Sequence, residues 1–126
     1  MTHGKVDQLV ILDCFTYAGS LRNLDGILEN EKLTIQRVDL RDSEGVSRVI
    51  SDGRFDGVLH LAAESHVDRS ISNPSAFVET NVLGTFHLLE ACRQVWNGEW
   101  ATKRFVHVST DEVFGSLGAE GVFSEE

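Results

Sequence analysis

Lysine and arginine are scarce in this chain: 11 basic residues stand against 20 acidic ones in 126, a formal net charge of −9. Binding to a nucleic-acid backbone needs clustered positive charge, so that class of partner is excluded. Cysteine is scarcer. Cys14 and Cys92 lie far apart in apolar surroundings and without metal-ligand spacing, which reads as two free thiols rather than a disulfide or a metal site. A single proline and the lack of any repeat or low-complexity tract leave no place for a linker, and one domain is expected over residues 1–126. No apolar run approaches the roughly 20 residues of a membrane span. The polar stretch Met1 to Asp7 lacks a signal-peptide core. These absences point to a cytoplasmic protein, with no membrane and no nucleic acid among its partners.

What is present suits a small folded domain: hydrophobic residues make up 41% of the chain, with ordinary aromatic and charged fractions. Apolar patterns of strand and helix type alternate. Leu9 to Asp13 reads as a buried strand. Ser20 then caps an expected helix whose apolar face is Leu21, Leu24, Ile27 and Leu28. Leu33 to Val38 reads as a second strand. Asp42 is placed to cap a helix carrying Val46, Val49 and Ile50, and Gly57 to Ala62 reads as a third strand. Asn73-Pro74 starts a long helix, with Phe77, Leu83, Phe86, Leu89, Ala91 and Val95 as its expected buried positions, and Arg104 to Ser109 reads as a fourth strand. Strand and helix in alternation predict a parallel α/β sheet with right-handed crossovers. Ligands of such sheets bind beyond the carboxyl ends of the strands.

The residues at those ends carry chemistry, each with a plainer reading beside it. Asp13 ends the first strand, where an acid can bind ribose hydroxyls; it is equally a solvated loop acid, and no glycine-rich turn precedes it. Asp39 could meet an adenine amino group or cap the next helix, a role for which Asp42 competes. Leu61-Ala62-Ala63-Glu64-Ser65-His66-Val67-Asp68-Arg69 joins small residues, which permit close approach to the backbone, to a dense polar cluster. The plainer reading is a loop laced with salt bridges. A metal held by His66 and Asp68 lacks further ligands nearby. Ser109-Thr110-Asp111-Glu112 offers hydroxyls and two adjacent carboxylates for acid and base work, or a capping box from Ser109 to Glu112. Alternation along a strand sends adjacent side chains to opposite faces, so both carboxylates serve one site only if the strand bends or ends near Thr110.

Four stretches together resemble the dTDP-glucose 4,6-dehydratases of the extended short-chain dehydrogenase/reductase superfamily. They are DCFTYAG from Asp13, LHLAAESHVDRSI from Leu59, ETNVLG from Glu79 and VSTDEVFG from Val108. The resemblance covers nearly the whole chain, and the Asp-Glu pair after Thr110 favours a dehydratase over related epimerases. It implies a partial Rossmann-like α/β domain that uses NAD to oxidise a nucleotide sugar at C4, eliminates water across C5 and C6, and returns the hydride to C6. It implies Asp111 as the acid for the departing hydroxyl, Glu112 as the base for the C5 proton, and Thr110 as a hydrogen-bond partner of the sugar. It implies an NAD site lined by Asp13, Cys14, Phe15, Thr16, Asp39, Leu40, Leu61, Ala62, Ala63, Glu64, Ser65 and Thr80, with Ser65 also near substrate. No metal is implied.

The departures from the family pattern shape the remaining expectations. The family's first strand and its G-x-x-G-x-x-G turn, which holds the pyrophosphate, are not found in the sequence. The family's Tyr-x-x-x-Lys would lie beyond Glu126, Tyr17 being the only tyrosine, and the substrate domain is not found either. Cys14 stands where the family commonly has lysine. The expectation is a fragment of a dTDP-glucose dehydratase, truncated at both ends, inactive alone and binding NAD weakly or not at all. The alternative is a non-catalytic nucleotide-binding or self-associating module. In the family's sheet the first strand lies between the strand ending at Asp13 and the one ending near Ala62. Two open edges then predict a homo-oligomer, aggregation, or direct pairing of those two strands.

Overall fold

In the computed structural model, which describes residues 6–118 and 120–124, the alternation of strands and helices follows the apolar pattern closely. Strands β1 (Leu9–Asp13) and β2 (Leu33–Arg37) form a parallel pair, with Leu9 opposite Leu33 and Asp13 opposite Arg37. Strands β3 (Gly57–His60) and β4 (Arg104–His107) form a second parallel pair, with Gly57 opposite Arg104. Each pair is a sheet of its own. Direct pairing of β1 with β3, one of the expected outcomes, therefore does not occur. Strands β2, β3 and β4 stop one or two residues short of their expected ends, within the usual spread of a strand boundary.

The helices build a core that residues of both pairs share. Asp42 opens helix α1 (Ser43–Gly53) by accepting the Gly45 N–H at 3.0 Å, as its position predicts. Val46 and Ile50 on α1 are buried, with Val46 wholly so. After the short α2 (Val67–Ser72), one continuous helix runs through α3 (Pro74–Phe77), a π-helical stretch Val78–Gly84, and α4 (Thr85–Val95). Pro74 stands at its start, where its lack of an N–H costs nothing. Helices α1 and α4 pack together around Leu40, Val46, Ile50, Leu88, Ala91, Cys92 and Trp96. Leu12 and Val38 from the first pair and its flank, and Val58 and Phe105 from the second, pack against this core. Residues from both strand pairs thus pack on the core that these two helices share.

Helix α4 acts as a brace between the pairs. His87 Nδ1–H donates to the Leu40 carbonyl beyond β2 at 2.9 Å. Trp96 Nε1–H donates to the Phe55 carbonyl before β3 at 2.8 Å. His60 Nε2 on β3 lies 2.9 Å from Thr85 Oγ1. Gly84 lets the helix come close: a Cβ there would lie 2.8 Å from the Leu40 Cβ.

Two expectations about helices need correction. Of the expected buried set on the long helix, Ala91 is buried and Phe77 and Val95 are half-buried, but Leu83, Phe86 and Leu89 are exposed. Leu88, Cys92 and Trp96 occupy the core instead. Each i→i+5 turn holds one residue more than an α turn, so a phase counted from Pro74 is displaced by about 100° beyond the π stretch. The helix expected after Ser20 is a single 3₁₀ turn, Leu21–Leu24, with Ser20 Oγ accepting the Arg22 N–H at 3.3 Å. Gly26 follows at φ +91°, a left-handed conformation that breaks the helical path, and Leu21, Ile27 and Leu28 are exposed.

His60 is the one buried polar side chain among the described residues, 2% exposed. Its ring lies 4.8 Å from that of His107 and edge-on to Phe105 at 6.3 Å. Burial, and then the neighbouring His107, hold its pKa below the ordinary 6.5. The unfolded chain takes up a proton at that position near pH 6.5 while the folded chain resists it, so stability falls as pH drops through and below 6.5. Denaturant midpoints at pH 7.5 and 5.5 are expected to show a larger loss for the wild-type chain than for His60→Asn. Equal losses would assign the acid sensitivity to other groups.

Candidate functional site

The carboxyl ends of β1, β2 and β3 open on one cavity of about 460 Å³. Asp13, Cys14, Phe15 and Thr16 enter it from the end of β1, and Asp39 and Leu40 from beyond β2. Leu61, Ala62, Ala63 and Glu64 enter from beyond β3, and Thr80 from the π-helical stretch. Of the residues expected to face a dinucleotide, only Ser65 is outside this lining. The cavity also takes in residues that sequence reasoning passed over, among them Gly19, Asn23 and Arg41.

The β1 end turns sharply. Asp13 Oδ1 accepts the Phe15 N–H at 2.6 Å, and Phe15 adopts φ +51°. Gly19 comes back over this turn so closely that a Cβ there would lie 2.8 Å from Phe15 Cα and 3.2 Å from Asp13 Oδ1. One carboxylate oxygen of Asp13 is thereby fixed; the other has no hydrogen-bond partner among the described residues and is free to accept from a hydroxyl.

At the β2 end, Asp39 does not cap α1, because Asp42 does. Arg41 grips Asp39 instead: its Nη2 donates to Oδ2 at 2.6 Å, its Nε reaches both oxygens at 3.1 Å, and its backbone N–H reaches Oδ1 at 2.9 Å. The Arg41 hydrogen bonds pull the Asp39 carboxyl below its ordinary range. Arg41 is also 3.5 Å from Glu79, at the edge of the π stretch.

The β3 end is held by Asn81, which the expected site omitted. The Glu64 N–H donates to Asn81 Oδ1 at 2.8 Å, and Asn81 Nδ2–H donates to the Glu64 carbonyl at 2.8 Å. Asn81 projects from the π-helical stretch, where the backbone widens to present it. Glu64 also meets residues from both banks of the cavity. Tyr17 Oη–H donates to Glu64 Oε2 at 3.4 Å, Arg69 Nε lies 3.9 Å from the same oxygen, and the Arg69 guanidinium stacks 4.0 Å above the Tyr17 ring. The loop after β1 and the start of α2 are thus tied to each other. The salt-bridged reading of this polar cluster is seen in the Glu64–Arg69 pair, and Glu64 and Arg69 of the cluster also line the cavity. Among the described residues, no three His, Cys, Asp or Glu side chains gather as a metal site.

Ser109-Thr110-Asp111-Glu112 lies beyond the carboxyl end of β4, outside the cavity lining. The strand ends at His107, before Thr110, and Asp111–Phe114 forms a 3₁₀ turn. Its cap is Thr110, whose Oγ1 accepts the Glu112 N–H at 3.4 Å; Ser109 is not the cap that a capping box requires. Strand alternation no longer separates the two carboxylates, since neighbours on a 3₁₀ turn diverge by about 120°. Thr110 Oγ1 also lies 3.3 Å from Asp111 Oδ1. All three side chains are exposed. Cys14 is half-buried and Cys92 buried, both as free thiols, and burial pushes the Cys92 pKa up to about 11. No helix among the described residues is long and apolar enough to cross a membrane.

Comparison with known proteins bears on this arrangement. The family model described as GDP-mannose 4,6 dehydratase matches residues 2–126. A dTDP-glucose 4,6-dehydratase from Escherichia coli is 48% identical over 115 residues, which is 88% of this chain and 32% of that protein. One from Neisseria gonorrhoeae is 46% identical over 124 residues, 94% of this chain and 36% of the relative. The chain therefore spans about a third of the length of the curated relatives it matches. Among solved structures, a dTDP-glucose 4,6-dehydratase from Streptomyces venezuelae with NAD bound superposes with a TM-score of 0.81 at 40% identity, covering 94% of this chain and 34% of that one. A UDP-glucose 4-epimerase from Thermus thermophilus in complex with NAD gives 0.75 at 32% identity, covering 92% and 34%.

Proposed function

Since the chain belongs to the GDP-mannose 4,6 dehydratase family, we propose that it forms the adenosine-facing part of the NAD site of a dTDP-glucose 4,6-dehydratase. The observation that carries this reading is the single cavity at the ends of β1, β2 and β3, into which Asp13, Asp39, Ala62, Ala63 and Thr80 all open. The residues fit such a group. The free oxygen of Asp13 suits a ribose hydroxyl, and the small side chains of Ala62 and Ala63 leave room against the backbone. NAD supplies the hydride acceptor when bound. This chain's residues hold it and position the polar cluster beyond β3. Thr110, Asp111 and Glu112 belong to the same end of the sheet: Thr110 bonds the sugar, Asp111 gives a proton to the departing hydroxyl, and Glu112 takes the C5 proton. Ser65 lies on the sugar side of the site, outside the cofactor cavity. A cytoplasmic location goes with these metabolites.

Titration of the isotope-labelled chain with NAD, followed by NMR, tests the reading. A dissociation constant of about 1 mM, or about −4 kcal/mol, is expected, with shifts concentrated at Asp13, Asp39, Ala62, Ala63 and Thr80. Nicotinamide mononucleotide, which lacks the adenosine, should leave those signals unmoved. Saturating NAD without shifts at the cavity would defeat the proposal.

A second reading, as a self-associating module, draws on another observation. Val78, Val82, Phe86 and Leu89 recur about one turn apart along the long helix, each at least 46% exposed. A homo-oligomer that buries this stripe is compatible with the first reading.

A further inference from the structure

The main chain around Asp39 is held on both sides. Upstream, the Val38 N–H donates to the Asp13 carbonyl at 3.2 Å. Downstream, the Asp42 N–H donates to the Asp39 carbonyl at 2.9 Å. Leu40 between them is buried in the core, and His87 Nδ1–H holds its carbonyl at 2.9 Å. The freedom left at this corner of the cavity is rotation of the Asp39 carboxylate. Arg41 removes it. The fork of Nε and Nη2 engages both carboxylate oxygens, and the Arg41 backbone N–H takes Oδ1 as well.

Neither capping nor stability accounts for this grip. Asp42, not Asp39, caps α1. The Asp39 and Arg41 side chains are 31% and 47% exposed, and an ion pair so open to water adds little to folding. Both residues line the cavity, with Leu40 between them. Glu79, 3.5 Å from Arg41 Nη1, steadies the other end of the guanidinium from the π-helical stretch. The Arg41 hydrogen bonds keep the Asp39 carboxyl below its ordinary range. At neutral pH Asp39 therefore offers the cavity acceptors alone.

With the cavity read as an adenosine site, as above, we propose that Arg41 is a positioning residue for base selectivity: it locks the Asp39 carboxylate in a single orientation, and the site thereby selects a purine that carries an exocyclic amino group. A carboxylate free to turn follows whichever donor the base presents, the amino group of adenine or the ring N–H of hypoxanthine. One locked by the fork cannot follow. It meets the amino group of adenine as an acceptor, and it meets the carbonyl of hypoxanthine with like polarity. Lysine does not replace arginine here, because a point charge lacks the planar fork that sets the orientation.

NMR titration with NAD and with nicotinamide hypoxanthine dinucleotide, which differ only in that group of the base, reads the preference as a ratio of dissociation constants. The wild-type chain is expected to favour NAD about tenfold, the scale of one hydrogen bond to a charged group. Arg41→Ala and Arg41→Lys should bring the ratio close to unity while shifts at Asp13, Ala62 and Ala63 persist. Asp39→Asn, whose amide both donates and accepts, should do the same, and adding Arg41→Ala to it should change the ratio no further. A wild-type chain without preference, or a preference that Arg41→Ala retains, would overturn the proposal and leave NAD binding at the cavity intact. So would a ratio that Arg41→Ala alters in the Asp39→Asn background, since Arg41 would then meet the base itself. Saturating NAD without shifts at the cavity would defeat the adenosine reading, and the role of Arg41 with it.

Discussion

Replacing Trp96 with alanine is expected to remove about 3–5 kcal/mol of folding free energy, a large part of the roughly 5–15 kcal/mol that holds a small domain together. Trp96 is 3% exposed at the end of α4, inside the cluster shared by both strand pairs. Truncation opens a ring-sized void and also strands the Phe55 carbonyl, which now accepts from the indole at 2.8 Å. That bond joins residues 41 positions apart, so its loss loosens the brace against β3 as well as the core. Trp96→Phe keeps most of the packing and removes the hydrogen bond alone, which costs about 1–3 kcal/mol. Urea denaturation of both variants, followed by circular dichroism, measures the two contributions. If Trp96→Ala unfolds within about 1 kcal/mol of the wild-type chain, the cavity argument fails for this site.

Glu112→Gln is expected to lower the elimination step by about 10²- to 10⁴-fold in a polypeptide that joins this segment to the remaining length of its relatives. Glutamine has nearly the shape of glutamate but cannot accept the C5 proton. Oxidation at C4 should survive, so NADH should build up on mixing with substrate and exchange of the C5 hydrogen with solvent should cease. Asp111→Asn should slow the reaction on the same scale yet leave C5 exchange in place, because in the proposed roles it removes the acid and spares the base. Rapid-mixing absorbance for NADH and mass analysis of the product in deuterated water separate the two cases. A Glu112→Gln enzyme that eliminates water within about threefold of the parent rate would transfer the base role to another group.

How far the sequence revealed this molecule depended on the range of each interaction. Asp42 with Gly45 is a contact three residues long, and its cap, its helix and the buried Val46 and Ile50 are all where pattern places them. The strand-end rule brought Asp13, Asp39, Ala62, Ala63 and Glu64 to one cavity without knowledge of any distance. Ser20 illustrates the opposite case. It caps as expected, but Gly26 cuts the helix to a turn, and the apolar residues beyond find nothing to pack against. Asn81 escaped notice because its partner, the Glu64 backbone, lies 17 residues away. Its signal was present in the ETNVLG stretch as an amide side chain set between the apolar Val78 and Val82. Trp96 was missed through the phase of the helix alone. Thr110 rather than Ser109 caps the last turn because the strand ends early.

The π-helical stretch Val78–Gly84 has a consequence for how this protein tolerates insertion and deletion. Surface loops absorb a lost or added residue at small cost, but here a residue is an angular quantity. Deleting one would restore ordinary winding and turn everything downstream by about 100°. Leu88, Cys92 and Trp96 would rotate out of the core, His87 would leave the Leu40 carbonyl, and Phe86 would swing inward. Within the stretch itself, Asn81 would no longer aim at Glu64. The length of this segment is thus a gear setting between the cavity and the core, and change in the chain that respects the fold must preserve the count.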